Sequence, residues 1–512
     1  MFILNITNLR TLDLVAIACY LLGIIAIALF FSKKNNSTEQ YFLGGRAFPG
    51  WAIGLSMVGT SISSNSFLGI PAESYKNSWV NIAPNLFLPV VTVIAIILFI
   101  PFFRSSRRTS AFEYLNERYG VVPRLYGTFS FIILQLARIV IVLTLLCLPI
   151  QFLTGYPIEY VIIAVGIFVT LYTVIGGIET VIWTDVIQTI VLLCGGILCF
   201  GCIWYKMPGG LSQIMEIAND NNKFYLGDFD WDLGRKTFWV VMFTGLVHWL
   251  REYSSDQNVI QRYLAAKSTK EARKATALCA CVSVPIWVFF ALLGTALFTF
   301  YTQFPVAGLD EKLQRPENIL PFFIINNIPA GVAGIIIAGL LAAAMSSLDS
   351  SINAISTVTV VDIVKPYTHK ERTDAFYLKT AKVVIIITAV IMIGGAIFMS
   401  RYQKTMVDIS WILNSVLGGC LVGLFLMGFF TTRVDGFSAS IALGIAILSN
   451  IYFALNSAQL LPEALSLNID NYWVGILVNV VFITAAYSIA VVKKSSPKNL
   501  DQLTVWTMNK GE

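Results

Sequence analysis

Charge is scarce in this chain of 512 residues: Asp, Glu, Lys and Arg together make up 12% of it, about half the share found in soluble domains. Histidine is scarcer still, with only His248 and His369. The eight cysteines all lie in apolar stretches and none has metal-ligand spacing beside other ligands, which argues against a zinc or haem site. Buried in such stretches, free cysteines behave as small hydrophobes and say nothing of redox compartment. Low-complexity linkers are also absent, and the longest polar stretch, 206–236, is too short for a domain. What the chain has in abundance is apolar side chain, at 56% with a mean hydropathy of +0.74. Collagen-like, disordered and disulfide-scaffold classes fall with these numbers, and a membrane protein remains. The net charge of +6 then reads as loop charge, with no nucleic acid as partner and the lipid bilayer as surroundings.

Apolar runs recur near 12–32, 49–75, 79–103, 123–152, 157–177, 180–205, 237–261, 275–302, 319–348, 376–400, 406–431, 436–456 and 471–492. At about 20 residues per crossing, they predict an all-α polytopic membrane protein with thirteen transmembrane helices. The first run is not a cleavable signal peptide, because Met1-Phe-Ile-Leu-Asn lacks a basic leader. With the N-terminus outside, 23 of the 35 Lys and Arg fall in inside loops, Arg262 among them, and ten fall outside. Arg138 and Arg251 stay within apolar zones. The positive-inside rule therefore places the N-terminus outside and the C-terminus in the cytoplasm, in a multi-pass protein of the inner (plasma) membrane.

The informative places are where a spanning run stops being apolar. The second run reads Gly59-Thr60-Ser61-Ile62-Ser63-Ser64-Asn65-Ser66, with Gly69 and Pro71 following: five hydroxyls and an amide at mid-membrane. Backbone leaves the helix at that depth only where it is buried or lines a wet cavity. Interrupted helices of this kind hold solute and coupling ions in secondary transporters, although serines also serve plain helix packing. The seventh run breaks as well, at His248-Trp-Leu-Arg251-Glu252-Tyr253-Ser254-Ser255-Asp256-Gln257. Two breaks five helices apart predict a 5+5 inverted repeat. Residues 1–36 would form an outside segment and leading helix, 37–205 the first repeat, and 206–432 the second, with an extracellular loop at 206–236. Residues 433–512 would supply two trailing helices and a cytoplasmic tail.

The ninth run ends Ala343-Ala344-Met345-Ser346-Ser347-Leu348-Asp349-Ser350-Ser351. Ser346 and Ser350 share a helix face, with Asp349 one step away. Hydroxyl, carbonyl and carboxylate oxygens suit a hard cation such as sodium, and intramembrane acids are costly and seldom idle. Asp185 is another such acid, unless it sits at the cytoplasmic interface where a helix-end Asp needs no role. Arg138 stands mid-run in Leu134-Gln-Leu-Ala-Arg138-Ile-Val. Its guanidinium fork suits a carboxylate, either on a solute or on a buried acid such as Glu252. Arg251 and Glu252 read more simply as a local pair than as a gate.

At these residues, over about 12–490, the chain resembles the sodium/solute symporter family. The supporting stretches are Phe42-Leu-Gly-Gly-Arg46, Tyr172-Thr-Val-Ile-Gly-Gly177, Asp256-Gln257-Asn-Val-Ile-Gln261-Arg262-Tyr263 and the serine-rich run through Asn353. Within the family it is most similar to bacterial sodium/sialic acid symporters, through Gly-Trp51-Ala, Thr60-Ser-Ile-Ser-Ser, Ile70-Pro-Ala, Arg138 and Val181-Ile-Trp-Thr-Asp-Val-Ile-Gln188. The resemblance implies a leucine-transporter-like core, alternating access and sodium as the co-transported ion. It implies a first sodium held by the carbonyls of Gly59, Ile62 and Ala343 and the hydroxyls of Ser346 and Ser347. A second sodium would map to Asp185, Ser346, Asp349 and Ser350, with Asp349 standing where the resemblance leads one to expect serine. Solute positions would be Ser61, Ser63, Ser66, Asn85 and Arg138, with Asn85, Ser61 and Ser66 as shorter replacements for Gln and Thr.

The leading expectation is thus a sodium-coupled symporter, not an enzyme, that imports a small carboxylated solute, sialic acid first. A neutral sugar or a monocarboxylate is the alternative solute. A channel or facilitator would show polar stripes along several helices, whereas polarity here is concentrated at a few breaks. A membrane enzyme would want clustered His, Cys or paired acids at one interface, or a phosphate-binding loop.

Overall fold

Apolar periodicity without polar relief becomes helix almost everywhere. The computed structural model describes residues 10–32, 37–105, 108–313, 315–368, 372–401, 410, 413–414, 416–495 and 500–508. Among them the regular structure is helical, with one isolated bridge between Phe48 and Ala266. Nine helices among the described residues are long and apolar enough to cross a bilayer. One of these, Ile158–Lys206, runs for 49 residues, about 74 Å at 1.5 Å per residue, more than twice a hydrocarbon core of about 30 Å. It resolves into two crossings at Gly177, whose φ of 66° and ψ of −175° suit a residue with no Cβ. The runs expected at 157–177 and 180–205 meet at that point. The run expected at 406–431 falls partly outside the described residues, and its described end is the helix Leu421–Phe430.

Both interrupted helices are present. The first runs from Gly50 to Ser61, leaves the helix at Ile62 (φ −103°, ψ 100°), and resumes through a wide turn at Asn65–Gly69 into Ile70–Lys76. Ser63 Oγ accepts from the Asn65 backbone N–H at 3.2 Å, so a side chain takes over a bond that the helix would otherwise make, and Ser64 Oγ ties the turn to the Val121–Thr154 helix by donating to the Val142 carbonyl at 3.0 Å. The second interrupted helix runs Phe238–Ser255 and then Gln257–Ala265, parted by extended Asp256 (φ −83°, ψ 122°). Asp256 accepts from Asn258 N–H at 2.8 Å and so caps the second half. The two broken helices are tied together beyond their breaks, where Phe48 N–H reaches the Ala265 carbonyl and Lys267 N–H reaches the Phe48 carbonyl.

The serine-rich segment corrects one expectation. The run predicted at 319–348 is two elements, a short helix Ile319–Asn327 and a separate span Val332–Tyr367. Pro329 and Gly331 (φ 83°) part them, just after Asn326 and Asn327, a break that the run length predicted from hydropathy passes over. Ser346 to Ser351 therefore lie in the middle of a helix rather than at its end. From Ile336 to Val358 every residue of it is buried, as expected of a helix packed on all sides. The Val121–Thr154 helix carries Arg138 at its centre.

Candidate functional site

The serine helix meets the first break through hydroxyls. Ser346 Oγ donates to the Gly59 carbonyl at 2.8 Å and lies 3.2 Å from the Ala343 carbonyl. One residue on, Ser347 Oγ donates to the Thr60 carbonyl at 3.2 Å. Four of the five residues expected at the first sodium therefore come together, and Ile62 is the extended residue at the end of the same turn. Approach is close on the other side as well: a Cβ on Gly59 would lie 2.7 Å from Thr189 Oγ1 and 3.2 Å from the Asp185 carbonyl.

Two of the four residues expected at a second sodium, Asp185 and Ser350, meet at a group expected elsewhere. Arg262, counted among inside-loop charges, is 1% exposed. Its Nη2 lies 2.8 Å from both Asp185 Oδ2 and Ser350 Oγ, and its Nε donates to Ser56 Oγ at 2.9 Å. Ser56 in turn donates to Asp185 at 2.6 Å, and Thr60 Oγ1 sits 3.1 Å from Ser350. Arg262 looks like a loop charge because it closes a run that ends in Lys267. It is buried because an acid distant in sequence neutralises it, and because the broken helix turns it inward four residues after Asn258, whose carbonyl it also reaches at 2.9 Å. Asp349 faces differently: its Oδ2 accepts from Tyr172 OH at 3.2 Å and its Oδ1 lies 3.5 Å from Ser350 Oγ. Ser346 belongs to the Gly59 side. Asp185 Oδ1 has no hydrogen-bond partner among the described residues. An acid at the interface would be solvated, whereas Asp185 is fully buried.

All five expected solute residues line one cavity of about 130 Å³: Ser61, Ser63, Ser66, Asn85 and Arg138. The cavity also takes Asn65, Asn81, His248, Trp249, Glu252, Trp287 and Asn414. Trp249 and Trp287 pack 5.3 Å apart, and Trp287 Nε1 donates to Ser66 Oγ at 3.2 Å. Trp287 is invisible to a search for polar breaks, since it sits in an ordinary apolar run, whereas Trp249 lies within the second break between His248 and Arg251. Arg138 donates through Nη2 to the Thr60 carbonyl at 2.8 Å, the carbonyl that Ser347 also reaches. Its Nη1 lies 3.6 Å from Glu252 Oε1. Arg251 is more than a local partner of Glu252: it also reaches His248 Nδ1 at 3.3 Å and Asn414 Oδ1 at 3.2 Å. The arrangement can hold a hard cation against hydroxyls and carbonyls on one side of Thr60, and a polar organic anion on the other.

Comparison with known proteins agrees with that geometry. Residues 41–444 match the model of the sodium:solute symporter family. A sodium/sialic acid symporter of Proteus mirabilis is 33% identical, over 84% of this chain and 87% of its own. A second, from Aliivibrio fischeri, is 32% identical over 88% and 89%. Among solved structures, a substrate-bound, outward-open, sodium-coupled sialic acid symporter superposes with a TM-score of 0.86 at 30% identity, covering 96% of this chain and all of the other. A nucleobase-cation-symport-1 family transporter in a closed conformation, 14% identical, shares the fold with a TM-score of 0.57.

Proposed function

The chain belongs to the sodium:solute symporter family, and from that premise we propose that it imports N-acetylneuraminate or a closely related acidic sugar by alternating access. It is a helical multi-pass transporter of the leucine-transporter-like fold, with sodium as the co-transported ion. The observation that carries the solute assignment is Arg138, a guanidinium at mid-helix that opens on a cavity lined also by hydroxyls, amides, tryptophans, aliphatic side chains, His248 and the carboxylate of Glu252. A planar fork binds a carboxylate with two parallel hydrogen bonds. Ser61, Ser63, Ser66 and Asn85 offer partners for the hydroxyl and acetamido groups of such a sugar.

Sodium at the first set would bridge the carbonyls of Gly59, Ile62 and Ala343 with Ser346 and Ser347, replacing hydroxyl-to-carbonyl bonds that now close the gap. Because Thr60 lies between Ser347 and Arg138, ordering this turn around the ion also positions Arg138 for the solute. A second sodium would lie among Asp185, Ser346, Asp349 and Ser350, beside the Arg262 guanidinium. The two interrupted helices would belong to the repeats 37–205 and 206–432, and the N-terminus would face outside with the protein in the inner membrane. One observation favours a neutral sugar instead: Glu252 already lies against Arg138. Equilibrium binding to the purified protein decides between them. N-acetylneuraminate should bind in sodium and not in potassium, while galactose, pyruvate and proline should not bind. Sodium-dependent galactose binding with none of N-acetylneuraminate would overturn the assignment.

A further inference from the structure

Glu252 is placed between two guanidinium groups that face it from different helices. Its Oε1 lies 3.6 Å from Arg138 Nη1, across the cavity, and its Oε2 lies 3.5 Å from Arg251 Nη2, on its own helix. Neither distance is that of a good charge-assisted hydrogen bond, which closes to about 2.7–2.9 Å. Glu252 is therefore shared rather than committed. Exposure grades the three groups: the side chains of Glu252 and Arg251 are 6% and 7% exposed, whereas that of Arg138 is 23% exposed. Arg138 is the member of the trio that opens on the cavity. Arg251 is the anchored one, held by Asn414 and His248 and lying 4.0 Å from Asp256. Asp256 is itself held by Gln135, which donates to it at 2.8 Å from the Arg138 helix.

Two guanidiniums and two carboxylates balance one another here, which is how buried charge is tolerated. A solute carboxylate would add a negative charge and need a partner. We propose that Glu252 is an internal stand-in for that carboxylate: it occupies Arg138 while the site is empty, yields it to the incoming acid, and is retained by Arg251. This rests on the reading that Arg138 takes a solute carboxylate. The exchange is favoured by geometry, since a bidentate pair on Arg138 replaces a loose one, and Glu252 is not left as an uncompensated buried charge because Arg251 keeps it. The added negative charge is met by the sodium expected on the other side of Thr60, whose carbonyl Arg138 and Ser347 share. Glu252 then acts as a specificity-determining group. A neutral solute gains nothing from Arg138, which is already paired, so only a carboxylate stronger than Glu252 in that position opens the site. On this reading the pair that seemed to favour a neutral sugar is the device that selects against one.

The test is equilibrium binding at saturating sodium, to purified full-length protein, of N-acetylneuraminate and of its analogue with the carboxylate replaced by a carboxamide. Removing the competitor in Glu252→Gln should tighten N-acetylneuraminate binding by roughly two- to fivefold, the worth of a loosely held ion pair, and leave the carboxamide unchanged. Glu252→Asp keeps the charge but withdraws it by one methylene from Arg138. It should shift affinity in the same direction, and it carries the test if the Gln variant does not insert. Arg251→Gln should weaken N-acetylneuraminate binding, because Glu252 then has only Arg138, and adding Glu252→Gln to it should restore wild-type affinity or better. A structural role predicts the reverse sign: weaker binding of both ligands in Glu252→Gln and in Glu252→Asp. That result overturns the proposal, as does unchanged affinity in all three single variants. If the wild type binds acid and carboxamide equally well, the carboxylate reading of Arg138 fails first, whatever the Glu252 variants do.

Discussion

Ser346 offers the sharpest check on the sodium assignment, because one hydroxyl there has two separable roles. Ser346 Oγ donates to the Gly59 carbonyl at 2.8 Å, a neutral hydrogen bond whose loss costs about 1 kcal/mol of stability. As one of five ligands on a cation, the same oxygen makes a charge-assisted contact worth about 1.5–3 kcal/mol. Ser346→Ala should therefore lower thermal stability slightly, and raise the sodium concentration for half-maximal uptake by about 10- to 150-fold. A control lies five residues along the same helix. Ser351 is equally buried, and its hydroxyl has no hydrogen-bond partner among the described residues. Ser351→Ala makes the same chemical change without touching the Gly59 turn, so sodium dependence should stay within twofold of wild type, with stability unchanged or slightly improved. The assay is initial-rate solute uptake into proteoliposomes over a sodium titration, with inserted protein quantified. Equal sodium dependence in wild type and Ser346→Ala would refute the assignment. So would a loss of the same size in Ser351→Ala, because the helix rather than the ligand would then be responsible.

Three further outcomes are expected. Asp185→Asn leaves Arg262 as an unpaired buried cation and should cost about 3–5 kcal/mol; thermal unfolding in detergent should show a large drop, partly recovered by adding Arg262→Gln. Asp349→Asn keeps shape and removes charge, so sodium affinity should fall, while Asp349→Ser should be tolerated better than Asn or Ala. If Ser proves the worst of the three, a second sodium at Asp349 is wrong. Arg138→Lys keeps the charge and loses the fork, so transport should fall, and Arg138→Ala should weaken N-acetylneuraminate by about 1.5–3 kcal/mol while sparing its carboxamide. Equal loss for both ligands would make Arg138 a structural residue.

How far the molecule could be read from its residues depends on whether a feature is local. The first break was legible because Ser61, Ser63, Ser64 and Ser66 put hydroxyls where a bilayer supplies no water, so the chain itself must satisfy them. Asp256 and its neighbours gave the second break for the same reason. The interruption at Pro329 and Gly331 carries a signal too, in Asn326, Asn327 and the proline, but long apolar stretches on both sides mask it in the hydropathy. Arg262 was misplaced for a different cause. A charge near the end of a run reads as loop unless its counter-charge is known, and Asp185 lies 77 positions away. The cavity followed the same division: its polar lining announced itself, while Trp287 was hidden among ordinary apolar residues and Trp249, inside the second break, drew no notice beside its charged neighbours. Glu252 stood in plain view as a neighbour of Arg251. What the sequence could not supply was the distance to Arg138.

The central claim is that a sodium gradient drives an acidic sugar through this protein, and accumulation measures it directly. Proteoliposomes containing the purified protein, with labelled N-acetylneuraminate outside, should concentrate it above the outside level when sodium is added to that side. They should lose the excess when a sodium ionophore collapses the gradient. Equilibration without accumulation, at the same rate in sodium and in potassium, would contradict the account and leave a facilitator in its place.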